Sequence, residues 1–159
     1  MIMAKQIRIL SMNCQGLGDL DKCRDIFQFL REKKYDIYFL QDTHFTKKVE
    51  NHIRSMWGLE CVFDSYNSQS RGVTILFNNT MDYKIQQVIK GNDGNKLVLD
   101  ISLNDRKLTL VNIYGPNRDS PNFYNELKND IISCGNETVV MGGDFNLVLD
   151  FQKDCYITM

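Results

Sequence analysis

The sequence is short of the residues that mark several whole classes of protein. Of its 159 residues, two are proline and two are histidine. Both prolines, Pro116 and Pro121, lie in one short stretch, so no proline-rich linker divides the chain. Repeats and low-complexity segments are also missing, and one domain over residues 1–159 is expected. No charge sign is in excess: 19 Lys and Arg stand against 20 Asp and Glu, for a net charge of -1. This excludes a supercharged nucleic-acid-binding tail and an acidic disordered segment. Residues 1–60 carry ten basic and eight acidic side chains, and the rest carry nine and twelve. That tilt is too weak to be a DNA-binding footprint, although a fold could gather the basic groups on one face. No apolar run nears the roughly 18 residues of a membrane span. Lys5 and Arg8 interrupt the one early apolar stretch, so no signal peptide is read. The five cysteines (Cys14, Cys23, Cys61, Cys134 and Cys155) are odd in number and contain no C-x-x-C pair. Free thiols in a reducing compartment are expected, with neither a disulfide frame nor a zinc site.

What is present reads as alternating strands and helices. Ile7 to Met12 is a first strand. Cys23, Ile26, Phe27 and Leu30 recur at helical spacing and predict an amphipathic helix over about 21–34. Asp36 to Gln41 is a second apolar strand, and Val49, Ile53 and Met56 mark a short helix closed by Trp57-Gly58. From Leu59 the text turns to strands: 61–64, 72–77, 83–89, 96–103 and 107–114, separated by Asn-, Asp- and Gly-rich turns. Ser120 is a candidate N-cap with Pro121 at the first helical position, opening a helix over about 121–134. Thr138 to Met141 predicts a final buried strand. The mixture implies a sheet-rich, layered α/β protein.

Four polar clusters each follow directly on an apolar strand. They are Asn13-Cys14-Gln15-Gly16, Gln41-Asp42-Thr43-His44, the stretch from Asn112 to Asn117, and Gly142-Gly143-Asp144-Phe145-Asn146. Strand ends that share a rim bring such residues together. Their pooled carboxylates, carboxamides and phenol suit a hard cation such as Mg²⁺ or Mn²⁺ rather than zinc, and point to phosphate-ester hydrolysis. Each cluster also has an ordinary explanation. Asn13 to Gly16 could be only a turn, Asp42-Thr43 a helix N-cap, and Tyr114 to Asn117 a β-turn. His44 reads as a surface or capping residue. Gly142-Gly143-Asp144 is hardest to dismiss, because two glycines deliver a carboxylate with close backbone approach.

Taken in order, these clusters, together with Arg71-Gly72-Val73-Thr74-Ile75-Leu76, resemble the exonuclease III-like endonuclease/exonuclease/phosphatase superfamily. The wording is most similar to the apurinic-type endonuclease domain of LINE (non-LTR) retrotransposons, over about residues 5–154. The resemblance implies an αββα four-layer sandwich of the DNase I-like type and Mg²⁺-dependent phosphodiester cleavage of DNA. Carried over by position, Asn13 and Asp42 would hold the metal, Tyr114 would stabilise the transition state, and Asn117 would contact phosphate. Asp144 would activate water and Asn146 would hold the scissile phosphate. Val73, Ile75 and Phe77 read as a core strand without chemistry. The family usually places Glu where this chain has Asp42, which shortens the reach by about 1.5 Å. The family's closing motifs, with the terminal Ser-Asp-His, are not found, so the domain is expected to be incomplete at its C-terminus and to lack part of the second sheet.

The same resemblance implies DNA as partner, no membrane, an intracellular, nuclear setting, and a reverse transcriptase domain in the full-length parent element. A monomer or non-specific self-association is expected. Alternatives stay open: a catalytically inactive remnant of the domain, a non-catalytic nucleic-acid-binding module, or, within the superfamily, a lipid- or inositol-phosphate phosphatase.

Overall fold

A computed structural model describes residues 6–147. Cys155 and the segment from Asp154 onward lie outside the described residues, as does Lys5. In chain order the elements are β1 (Ile9–Asn13), α1 (Leu20–Lys33), β2 (Ile37–Gln41), α2 (Glu50–Trp57), β3 (Cys61–Asp64) and β4 (Val73–Phe77). There follow β5 (Tyr83–Lys90), β6 (Lys96–Leu103), β7 (Arg106–Tyr114), α3 (Pro121–Cys134) and β8 (Val139–Asp144). They form two four-stranded sheets, ordered β1-β2-β4-β3 and β5-β6-β7-β8. In each sheet one parallel pair, β1 with β2 and β7 with β8, sits at one side and the remaining neighbours are antiparallel.

Three apolar layers hold these elements in an αββα stack. Alternate residues of β2 and β4 (Ile37, Phe39, Val73, Ile75, Phe77) meet Leu97, Leu99, Ile101, Leu108 and Leu110 between the sheets. The other face of the first sheet (Tyr38, Leu40, Leu76) packs on Phe27, Leu30, Ile53 and Trp57 of α1 and α2. The outer face of the second sheet (Val98, Val111, Ile113) takes Phe123 and Leu127 of α3. Because β2, β3 and β4 are covered on both faces, all their residues are buried. This explains why their apolar runs are continuous rather than alternating.

The helices start and stop where local chemistry directs. Asp19 caps α1, its carboxylate accepting from the amides of Asp21 and Lys22 at 2.8 and 3.0 Å. Pro121 opens α3, but Ser120 makes no side-chain capping bond. Val49, not Asp42 or Thr43, stands at the N-cap of α2, so the capping explanation for Asp42 fails. Lys96 is buried, and its ammonium reaches Asp130 (2.8 Å) and Glu126 (3.5 Å), tying α3 to the second sheet. One sequence expectation is corrected. The final strand is not buried: Val139 and Met141 are 39% and 42% exposed, since β8 is an edge strand among the described residues and α3 covers only part of its face. No described helix is long and apolar enough to cross a membrane.

Candidate active site

Strand direction places the site. The parallel pairs end in register, Asn13 beside Gln41 and Tyr114 beside Asp144, so both sheets deliver polar residues to one rim. Backbone hydrogen bonds continue the ladders past the strand ends. The amides of Gly16 and Leu17 donate to the carbonyls of Asp42 and Thr43 (2.7 and 2.8 Å), and those of Thr43 and His44 to Gly72 and Arg71 (3.1 and 2.9 Å). On the second sheet the Tyr114 amide donates to Asn95 and the Gly115 amide to Asp144, at 2.9 and 2.7 Å. The clusters are thus stitched together by main chain.

Two positions explain the glycines of the last cluster. Gly143 has φ of +144°, and a Cβ there would strike the Ile113 backbone. A Cβ at Gly142 would press on the Phe39 ring across the sheets. Only glycine lets β8 lie so close, and that closeness brings Asp144 to the end of β1.

There Asn13 Nδ2 donates to Asp144 Oδ2 at 2.8 Å, joining residues 131 positions apart and bridging the two sheets. Asp144 Oδ1 accepts from the Asn146 amide at 3.1 Å. The Asn146 side chain donates to the Gly115 carbonyl at 2.6 Å. Burial raises the Tyr114 phenol above the usual tyrosine value, and the charge of Asp42 raises it further. A hydrogen bond with Asn146 opposes the rise, the charge of Asp144 adds to it, and that of Arg71 opposes it. Tyr114 stands in register beside Asp144 and lines a cavity with Arg71 and Asn117. Asn117 is exposed between two cavities, of about 760 and about 670 Å³, and makes no hydrogen bond among the described residues. The second cavity also contains Asn13, Asp144 and Asn146.

Asp42 holds left-handed backbone, φ +53°, and so do Gln15, His44, Arg71 and Asn146 around it. Non-glycine residues held this way gather where geometry is over-determined, as at ligand sites. Its Oδ1 accepts from the Arg71 amide (3.1 Å) and lies 2.7 Å from His44 Nε2. Its Oδ2 has no protein partner among the described residues. That free carboxylate oxygen, and the carboxamide oxygen of Asn13, which also accepts from the Gln15 amide at 3.0 Å, are hard donors of the kind a divalent cation takes alongside water and phosphate. No group of three or more His, Cys, Asp or Glu is found among the described residues, so a metal here would rest on carboxamide and solvent as well as carboxylate.

Sequence reasoning missed three features. His44 is no bystander, because it holds Asp42. Gln41 and Asn112, both buried, form a clasp beneath the site. Gln41 Nε2 donates to Asn112 Oδ1 at 2.8 Å, while Asn112 Nδ2 lies 3.0 Å from the carbonyls of both Leu40 and Thr74. Their signal was visible: Gln41 ends the apolar strand β2, and Asn112 interrupts the apolar stretch from Leu110 to Ile113 of β7. Asp64, also buried, accepts from the amides of Asn92 and Gly94 (both 3.0 Å) and pins the β5–β6 loop to the rim. Burial pushes its carboxyl above the usual range, against these hydrogen bonds.

No family profile matches the chain. Over 147 residues, 91% of the chain, it is 26% identical to the transposon TX1 uncharacterized 149 kDa protein of Xenopus laevis, of which the match spans 11%. The catalytic domain of Xenopus laevis APE2 superposes with a TM-score of 0.71 at 18% identity, covering 96% of this chain and 62% of that one. The endonuclease domain of TRAS1, a telomere-specific non-LTR retrotransposon, superposes with a TM-score of 0.62 at 17% identity, covering 89% and 59%. The chain thus spans less than two thirds of these structures and about a tenth of the transposon protein. The two facing sheets with helices outside match part of the fold of these nuclease structures, the DNase I-like four-layer sandwich, and in sequence the chain is similar to a segment of a transposon protein.

Proposed function

We propose that this chain is part of a single endonuclease domain of the LINE retrotransposon type, cleaving phosphodiester bonds of DNA with Mg²⁺, or with Mn²⁺ in its place. The observation that carries the reading is the Asn13–Asp144 bridge, which unites the first and last clusters at one rim beside Tyr114. Asn13 and Asp42 would hold the metal, which when bound offsets charge on the phosphoryl oxygens. Asn13 and the Asn146 amide orient the Asp144 carboxylate. Asp144 takes a proton from the attacking water as the new oxygen–phosphorus bond forms. The ester bond on the far side of phosphorus breaks, and the leaving oxygen takes its proton from solvent. Tyr114, kept neutral by burial and the nearby carboxylates, donates to the phosphoryl oxygen as its charge grows. Asn146 and Asn117 hold the phosphate. The likeness to a transposon protein supports, as part of this reading, a nuclear setting and a reverse transcriptase in the same parent element.

The test is supercoiled plasmid with Mg²⁺. Nicking is expected, with a loss of about 10²–10⁴-fold in Asp144→Ala. No nicking, or nicking that survives the substitution, rejects the enzymatic reading. The inactive-remnant alternative has one observation in its favour: among the described residues no histidine touches Asp144, and His44 is committed to Asp42. Absence of nicking by a folded, DNA-binding protein would select it.

A further inference from the structure

Arg71 opens one of the matching stretches, and neither the core strand after it nor the chemistry above uses its side chain. Its main chain is locked to the site: its amide donates to Asp42 Oδ1 and its carbonyl accepts from His44. Its guanidinium lies over the exposed Tyr66 ring, 4.8 Å from the centroid. The side chain is 42% exposed, its ion pair with the Asp93 carboxylate is loose, at 3.7 Å, and the same nitrogen donates a long hydrogen bond to the Asp93 carbonyl at 3.5 Å. A tight charge-assisted contact is about 2.7–2.9 Å. Gly94 packs against Tyr66 and Arg71 so closely that a Cβ would meet both, and Asp64 pins that loop. The guanidinium is therefore shelved in place, with its hydrogen-bonding capacity largely unspent. It lines the larger cavity together with Tyr114 and Asn117. The lining holds one other cation, Arg118, against Asp93, Asp119 and Glu126. A polyanion entering this acidic wall needs a local cation, and Arg71 is the one beside Tyr114.

We propose that Arg71 is a substrate-binding residue whose guanidinium, shelved on Tyr66, takes a phosphodiester of the nucleic-acid backbone next to the scissile one. It exchanges the loose Asp93 contact for a bidentate contact with phosphate oxygens, which its planar fork matches. The inference rests on the nuclease reading and names a subsite that reading does not contain.

The test is fluorescence anisotropy with a labelled DNA duplex in EDTA, so that nothing is cleaved, over a range of salt concentrations. The wild-type chain is expected to bind with a negative slope of log affinity against log salt. Arg71→Ala is expected to bind several-fold more weakly, with a slope smaller by about 0.9, the value of one phosphate contact on duplex DNA. Arg71→Lys should keep the slope. Asp93→Asn should bind more tightly, because it frees the guanidinium. If the wild-type chain shows no salt-dependent binding, the nuclease reading falls and the subsite with it. If the wild type binds and Arg71→Ala matches it in affinity and slope, the subsite alone is overturned. Should Arg71→Ala fail to fold, Asp93→Asn decides, and unchanged affinity there rejects the proposal.

Discussion

Tyr114 shows how one residue's surroundings set its chemistry. A phenol helps a phosphoryl oxygen only while it keeps its proton. Burial, followed by the charge of Asp42, raises its pKa above the ordinary tyrosine value. The protonated, donating form is therefore present throughout the neutral range and is lost only as pH rises through that raised value. Tyr114→Phe should lower the nicking rate by about 10²–10³-fold. The decline of the wild-type rate at high pH should be displaced above the usual tyrosine range, and the part due to the phenol should vanish in Tyr114→Phe. A pH–rate profile of both proteins checks this. The clusters that hold Asn13, Asp42, Tyr114, Asp144 and Asn146 stand out in the sequence because each follows an apolar run, and the family resemblance picks out the individual residues within them. His44 could not be singled out, because its role depends on a left-handed turn at Asp42 that folds the ring back onto the carboxylate two residues away. Arg71 was passed over because the strand that follows it is so plainly core.

Elements were legible where one face or both faces repeat a pattern. The helical stripe Cys23, Phe27, Leu30 is the buried face of α1, and its bounds differ from the expected ones by one residue. The Gln41–Asn112 clasp was not legible, since its partners are 71 positions apart and meet only when the two sheets stack. Replacing Asn112 by Leu, with little change of volume, would remove three buried hydrogen bonds, those with Gln41, Leu40 and Thr74, while Gln41 keeps Ser11 and the Phe39 carbonyl as acceptors. Each lost hydrogen bond contributes about 0.5–1.5 kcal/mol net, so a lower urea midpoint at unchanged slope is expected. The layer under α1 has a second consequence. Burial, the dominant cause, raises Cys14 and Cys61 from 9.0 to about 12 and Cys23 to about 11. The native state thus holds thiol protons that the unfolded chain releases, so stability falls as pH rises from about 9 towards those values. Urea midpoints between pH 8.5 and 11 should fall less steeply when the three cysteines are replaced by alanine or valine. An identical slope would show that the thiols are not the cause.

At the scale of the whole molecule, near-neutral charge and an uncovered apolar strip act together. Val139, Met141 and Phe145 are exposed along and just beyond β8, and Ile132 of α3 is 63% exposed beside them. A cavity of about 380 Å³ runs between them, lined by Leu127, Ile131, Ile132, Met141 and Phe145 with almost no polar surface. An edge strand that also presents apolar side chains is a template for pairing with another chain. A net charge of -1 supplies little repulsion to prevent this. The chain as given should therefore associate with itself as concentration rises, and sedimentation velocity should show the mean mass climbing. The double substitution Ile132→Lys with Met141→Lys places two charges on the strip without touching the rim that holds Asp144. It should restore a monomer and leave plasmid nicking intact. A sharp monomer boundary for the unmodified chain at high concentration would remove the strip as an adhesive surface.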